Sequence, residues 1–554
     1  MNDKLFLIAI GGTGMRCLEA FVHLCAAGLF DNKTIEILTL DTDQTNGNKG
    51  RVEQLIELYN KVKTNDSSNI GGEARANPFF SAKLNLYRFY TDYSKPERKT
   101  LRGLSSTAGL TNEQRDDNTD LADLMFDPDS VQGFELDHGY RAQTHLGSML
   151  MYHGIVEAAL NSKRGSDKIT EAERDLKNFL KLLNDNASSA RVFVFGSVFG
   201  GTGASSIPVI PIALREAIRI ISGGNNVLNL SKVKFGSTLL TDYFTFDSPD
   251  NAQRKKEKVI ADAGNFAFNS QAALNFYNND STVKRSYKKL YHIGWPQGLK
   301  INYSEGKTGP VITGGKEQEN DCHLAEMMCA SAAYDFFNTE SFPQQEAEYV
   351  YRTVEESMPG QLRLTGASFV GAQDGEYFEN KLGALLSLSH LLLGTYGGAF
   401  RDTCGTIGFL NDMDKHKIYS YQSLTDEQAR EIDDYLKMFA YSEDPKGSFV
   451  FQPGWLFQIF RSAKGGQFIF APEAFNTDIK QIQNNDPGGI FLDGMHNWET
   501  KGVFGSTRNR RFDKFIDILK QADSEPYEEQ GQTVKELFLA HLYNAITSAQ
   551  NFFN

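Results

Sequence analysis

Two stretches of this 554-residue chain carry the same four residues, Gly11-Gly12-Thr13-Gly14 and Gly200-Gly201-Thr202-Gly203. Each follows a short apolar run, Leu5 to Ile10 or Arg191 to Phe195, and each leads into residues whose apolar positions recur with helical spacing. Both therefore read as strand, glycine turn, helix. Glycine has no Cβ, so successive backbone N–H groups can turn toward one oxyanion at little steric cost, and the following helix adds its positive end. One such turn serves equally well to pack a helix on a strand. Two of the same form point to a nucleotide polyphosphate. Neither contains the lysine of a Walker-type loop. A dinucleotide fingerprint read from Gly12 and Gly14 meets Cys17 where glycine or alanine belongs. An NAD-binding Rossmann enzyme, with Asp43 as its ribose acid, stays open as an alternative.

The elements that must position these turns follow from the same pattern. A second apolar run, Ile35 to Leu40, ends in Asp41-Thr42-Asp43, which puts two carboxylates at the carboxyl edge of a strand, where open parallel sheets bind ligands. Asp41 and Asp43 read equally as turn caps. Residues 52–137 are polar and weakly periodic and read as an irregular insertion. Gly139 to Gly147 forms another glycine-bounded turn ahead of an apolar helix, and in a phosphate-proximal loop Arg141 would be a bidentate oxyanion ligand. Further strands are expected at Lys234 to Thr241 and Lys289 to Ile293, then a long helix over 319–338, on which His323 and Glu326 read as a satisfied core pair. The remainder, 339–554, mixes short strands, one of them Ala367 to Val370, with helices at Lys381 to Leu393, Asp426 to Phe439 and Val534 to Phe552.

Taken in order, these segments resemble the tubulin/FtsZ superfamily. Gly200-Gly201-Thr202-Gly203-Ala204 is similar to the superfamily's signature loop, with Phe199 in place of its first glycine, and Gly11-Gly12-Thr13-Gly14 resembles the first nucleotide loop. Asp41-Thr42-Asp43 is similar to the Asn-Thr-Asp of FtsZ, and Gly139 to Gly147 resembles the γ-phosphate-sensing loop. Thr241-Asp242-Tyr243-Phe244-Thr245-Phe246-Asp247-Ser248 keeps the spacing of a segment in which the family binds ribose, which places Asp247 in the ribose role. Asn320 heads the long helix where the family hydrogen-bonds guanine. The departures point to divergent bacterial tubulin-like proteins. The resemblance implies an α/β fold: a Rossmann-like GTPase domain over 1–318, the central helix over 319–338, and an α/β or α+β C-terminal domain with a helical tail over 339–554. It also implies GTP/GDP and Mg2+ as ligands and head-to-tail self-association into filaments or rings. Hydrolysis would be completed in trans by an acidic loop after the helix, for which Glu340 and Glu346 are the candidates, although Pro343 replaces the family's last aspartate. A nucleotide-dependent sensor or scaffold that hydrolyses little and recruits a protein partner through the C-terminal region is the alternative.

Composition narrows the class further. Hydrophobic content of 40% with 23% charged residues is globular, and the net charge of −13 argues against a surface for nucleic-acid backbones. The five cysteines lack the two-residue spacing of zinc or redox motifs and read as reduced thiols of a cytoplasmic protein. The apolar start is too short for a signal peptide, and no run approaches the length of a membrane span.

Overall fold

A computed structural model describes residues 3–31, 33–63, 79–93, 98–105, 111–127, 135–136, 139–140, 144–163, 169–224, 229–249, 261–304, 314–318, 320–354, 356–358, 361–364, 366–393, 425–440 and 534–553, with a few short pieces between 442 and 518. Among these, seven strands form one parallel sheet: β1 (Lys4–Ile10), β2 (Thr34–Asp41), β3 (Lys83–Tyr90), β4 (Ala190–Phe195), β5 (Lys234–Leu240), β6 (Lys289–Ile293) and β7 (Glu348–Arg352). Their spatial order is β3-β2-β1-β4-β5-β6-β7, so the winding reverses between β1 and β4. Leu5 pairs with Ile35 on one side of β1 and with Arg191 on the other.

The side chains of β1 alternate between two cores, as the period of a strand requires. Phe6, Ile8 and Ile10 meet helices α3 (Thr144–Asn161), α4 (Glu171–Asp185) and α5 (Ile210–Ile221) through residues such as Leu150, Phe179 and Leu214. Leu5, Leu7 and Ala9 face α1 (Gly11–Ala26), α2 (Gly47–Val62) and α6 (Leu324–Asn338) through Leu18, Phe21, Ile56 and Met327. The result is a Rossmann-like α/β sandwich with helices on both faces. Each fully buried Leu, Ile or Phe contributes about 1.5–3 kcal/mol. The same second core takes in the C-terminal helices α7 (Gly375–Leu393), α8 (Asp426–Ala440) and α9 (Val534–Phe553) through Leu385, Tyr435, Phe439 and Leu542. Among the described residues no helix is long and apolar enough to cross a membrane.

Four expectations are corrected. The described parts of residues 52–137 are not irregular: they finish α2, supply the sheet strand β3 and add helices at Leu101–Ser105 and Asn112–Met125. β3 hides its nature because it is an edge strand whose polar residues have partners, Asn85 Nδ2 donating to Glu36 Oε1 at 3.1 Å and Arg88 Nε to Glu53 Oε2 at 3.1 Å. Gly147 lies inside α3 rather than ending a turn, because a Cβ there would stand 2.4 Å from the Tyr140 ring and 2.6 Å from Ser205 Oγ. The long helix starts at Leu324, not at residue 319; His323 and Glu326 are the buried, satisfied pair expected, and they take the form of a capping box in which the His323 ring accepts from Ala325 N and Glu326 Oε2 accepts from His323 N. Residues Gly366–Val370 are helical, since a four-residue apolar run does not separate strand from helix by periodicity.

A buried charged cluster ties the layers together. Arg16 on α1 reaches Glu19 at 2.5 Å and Glu326 of α6 at 3.6 Å, and Arg51 of α2 reaches Glu19 at 3.2 Å. Trp455 donates its indole N–H to Glu19 Oε1 at 3.1 Å, and Tyr435 of α8 bonds His23 Nδ1 at 3.0 Å. Burial alone would raise the Glu19 carboxyl, but the Arg16 and Arg51 guanidiniums beside it bring it down to about 2. Burial takes the His23 imidazole down to about 3. Both groups are lowered from their ordinary values. Their stabilisation is therefore complete at neutral pH, shrinks as the unfolded chain takes up protons at His23 and then Glu19, and is lost as pH falls through about 3 and about 2. Glu19→Leu leaves Arg16 buried without its nearest anion and should cost about 3–5 kcal/mol at neutral pH, read from the midpoint of chemical unfolding. A loss below about 1 kcal/mol would mean that the cluster contributes little to the packing of α1.

Candidate functional site

The site is built where the sheet reverses its winding, the usual ligand position in an open α/β fold. β1 passes directly into α1 at Gly11, whose φ of +65° is left-handed and suits glycine. β4 ends at Phe195, and the chain crosses Gly196 to Gly203 before a short helix, Thr202–Ser206. Neither α1 nor the short helix has a side-chain cap, so their first N–H groups have no side-chain acceptor. The two turns touch: a Cβ on Gly11 would stand 3.0 Å from Thr202 Cβ. A Cβ on Gly14 would meet Phe195 O at 2.6 Å, and one on Gly203 would meet Ser197 O at 2.7 Å. Both positions need glycine for the approach of backbone to backbone.

Above the turns lies a cleft of about 890 Å³, open to solvent. Its lining brings together Gly11, Gly12 and Thr13 of the first turn, Gly200, Gly201, Thr202 and Gly203 of the second, the carboxylates Asp41 and Asp43, and Asn320. Gly14 lies beneath the turn, not on the lining. Asp43 is fully engaged: Oδ1 accepts from Thr45 N and Thr45 Oγ1 at 3.1 and 3.0 Å, and Oδ2 accepts from Gly315 N at 2.6 Å. Asp41 Oδ1 accepts from Thr42 N at 2.8 Å and Asp43 N at 3.3 Å, while its Oδ2 has no hydrogen bond among the described residues. Burial, together with Asp43 alongside, pushes the Asp41 carboxyl up to about 7. No lysine, arginine or histidine is among the described lining residues, and no group of three or more potential metal-ligating side chains occurs among the described residues.

Several expected members lie elsewhere. Thr241 does not line the cleft, because its hydroxyl donates to Ile293 O at 3.1 Å. Asp247 is exposed and also off the lining. Phe244 and Phe246 line the cleft in its place. The structure thus puts an aromatic wall where a ribose acid was expected. Phe199 packs on Phe244 at 5.5 Å and on Phe266 at 4.9 Å, and Phe246 packs on Phe266 at 5.6 Å. Asn320 does not head the helix but precedes it by four residues, in an extended approach that still brings it to the cleft. Arg141 lies outside the described residues. Glu340 and Glu346 are exposed beyond the far end of α6, a helix of 15 residues and roughly 22 Å, so they are remote from the cleft of their own chain. Arg191 holds that end, its Nη1 donating to Phe336 O, Phe337 O and Thr339 O at 3.2, 2.9 and 2.7 Å.

The lining residues outside the segments read as nucleotide loops are Asn46, Ala261, Phe266, Gly314 and Gln318, along with the wall-forming role of Phe199, Phe244 and Phe246. Asn46 had a legible signal as the N-cap of α2; the others come from segments whose local sequence says nothing of what they face. Asp41 gives a test. Its folded carboxyl keeps a proton that the unfolded chain releases, so its contribution to stability is complete below about pH 4 and lost as pH rises through about 7. Asp41→Asn retains the oxygen that accepts from Thr42 and Asp43 and should raise the melting temperature at about pH 8, by a margin that shrinks toward about pH 5.5. An equal effect at both would mean that the carboxyl titrates normally. No protein-family model matches the chain, and no curated protein matches it either.

Proposed function

We propose that the chain binds a guanine nucleotide as its magnesium complex in this cleft and assembles head to tail with further copies of itself. The observation that carries the reading is the contact of two uncapped glycine turns at the point where the sheet reverses, because together they direct backbone N–H groups at one polyphosphate. The ordered likeness to the tubulin/FtsZ loops supplies GTP/GDP as the ligand. The residues present fit such a group: Gly11, Gly12 and Thr13 with Gly200 to Gly203 hold the phosphates, and the aromatic wall of Phe244, Phe246 and Phe266 covers the apolar part. A divalent cation fits Asp41, whose second oxygen is unengaged in a lining without a described cation. When bound, it neutralises phosphate charge that neutral N–H donors cannot.

The distance from the cleft to Glu340 and Glu346 supports completion of any hydrolytic site by a neighbour. A heterologous contact of this kind propagates into filaments unless it closes into a ring. GTP should raise stability by about 2.7 kcal/mol at a hundredfold excess over its dissociation constant. Gly201→Val puts a side chain into the phosphate position and should abolish that gain; a variant that binds GTP normally would reduce the second turn to a packing device. GTP turnover per chain should rise with protein concentration. A mixture of Gly201→Val with a Glu340→Gln, Glu346→Gln double variant should recover turnover that neither shows alone, whereas a chain that stays monomeric at saturating GTP and magnesium refutes assembly.

A further inference from the structure

The helix Asn112–Met125 carries an apolar stripe that its own packing does not use. A surface helix needs one face turned to the core. Here that face is spaced by four, three and four residues: Arg115 and Thr119 are half-buried, and Ala122 and the C-cap residue Phe126 are buried. Phe126 stacks on the His145 ring at 5.2 Å, at the start of α3, and Arg102 pairs with Asp123. A capping box of Thr111 and Gln114 fixes the other end. The orientation of the helix is thus set. It leaves Leu121, Leu124 and Met125, at i, i+3 and i+4, on the solvent side, 57%, 82% and 60% exposed. One exposed leucine needs no explanation, but three adjacent large apolar side chains mark an interaction site.

Charge says what can cover them. The helix holds Glu113, Asp116, Asp117, Asp120 and Asp123 against Arg115 alone. Asp117 lies one turn before Leu121 and Asp120 one turn before Leu124, so carboxylates border the stripe. Glu113, Asp116, Asp117 and Asp120 are exposed and form no ion pair among the described residues. The basic residues of the preceding segment are already engaged, Arg98 with Glu157 at 2.6 Å, Lys99 with Glu135 at 3.7 Å and Arg102 with Asp123. Nucleic acid and anionic lipid are repelled by such a face. The same helix of a second copy would set carboxylates against carboxylates.

We propose that the helix Asn112–Met125 docks a basic amphipathic helix of a partner protein, whose apolar stripe covers Leu121, Leu124 and Met125 while its Lys or Arg side chains meet Asp117 and Asp120. Apolar contact at the centre and opposite charges at the rim are how a helix is bound by a helical face. Docking here is independent of what the cleft holds.

Fluorescence anisotropy tests it, with the full chain at about 0.15 M salt and a labelled peptide of Leu and Lys, amphipathic and about five helical turns long. A second peptide of the same composition scatters its Leu around the helix. The patterned peptide should bind at least about tenfold more tightly than the scattered one, and Leu121→Gln with Leu124→Gln should remove that advantage. Glutamine keeps helix propensity, and Leu124→Gln alone should weaken binding about threefold should the double variant fold poorly. Asp117→Asn with Asp120→Asn should weaken binding about threefold and flatten its salt dependence. Phe268→Gln with Phe276→Gln, at side chains 71% and 53% exposed on another helix, should change nothing. Equal binding of the two peptides, or binding that the Leu121 and Leu124 variants leave intact, overturns the proposal, since charge alone would then hold the peptide. Self-association that the leucine variant abolishes would give the stripe to a second copy and overturns it as well. So would tighter binding to phosphatidylserine vesicles than to the patterned peptide.

Discussion

The contact between the two glycine turns is the constraint on which the rest of the site depends. β1 and β4 are hydrogen-bonded neighbours, so their exits lie side by side, and the helices leaving them compete for the same space. Three glycines resolve that competition by different means. Gly11 adopts a left-handed φ that starts α1 without an intervening loop, Gly14 lets α1 settle against Phe195 O, and Gly203 lets the following helix settle against Ser197. A methyl group at any of them would push a helix away from the cleft and carry its N–H donors with it.

Charge is distributed about that contact in an unusual way. The lining holds two carboxylates and no described cation, while arginine lies one layer deeper, where Arg16 bridges Glu19 and Glu326 under α1. Burial pushes the carboxyl of Glu326 up to about 7, Arg16 and the hydroxyl of Tyr243 opposing the rise. Asp41 is raised as far, with Asp43 adding to burial. The deeper cluster is also where the C-terminal region enters, since Trp455 and α8 close over Glu19 and His23. The described C-terminal helices share the core of α1 and α2, so the helix that starts at the first glycine turn is held from behind by them.

Local sequence determined much of this. Six uninterrupted apolar residues in β1, followed at once by glycine, specify a strand buried on both faces and a turn after it, because each feature is set within a few residues along the chain. The same holds for the second turn, for Asp41 and Asp43 at the end of β2, and for the capping of α6 by His323 and Glu326. What lies on the cleft's far walls was decided by tertiary structure. Asp247 kept a motif's spacing yet is exposed and off the lining, which Phe244 and Phe246 occupy instead. β3 looked irregular because its polar residues find their partners in Glu36 and Glu53 on other elements, contacts that no periodicity along β3 records. Asn46, Asn48, Gln318 and Asn320 are separated by 272 residues between the two pairs, and each alone reads as a turn residue. Only the fold lays one pair against the other, where their amides hydrogen-bond to each other.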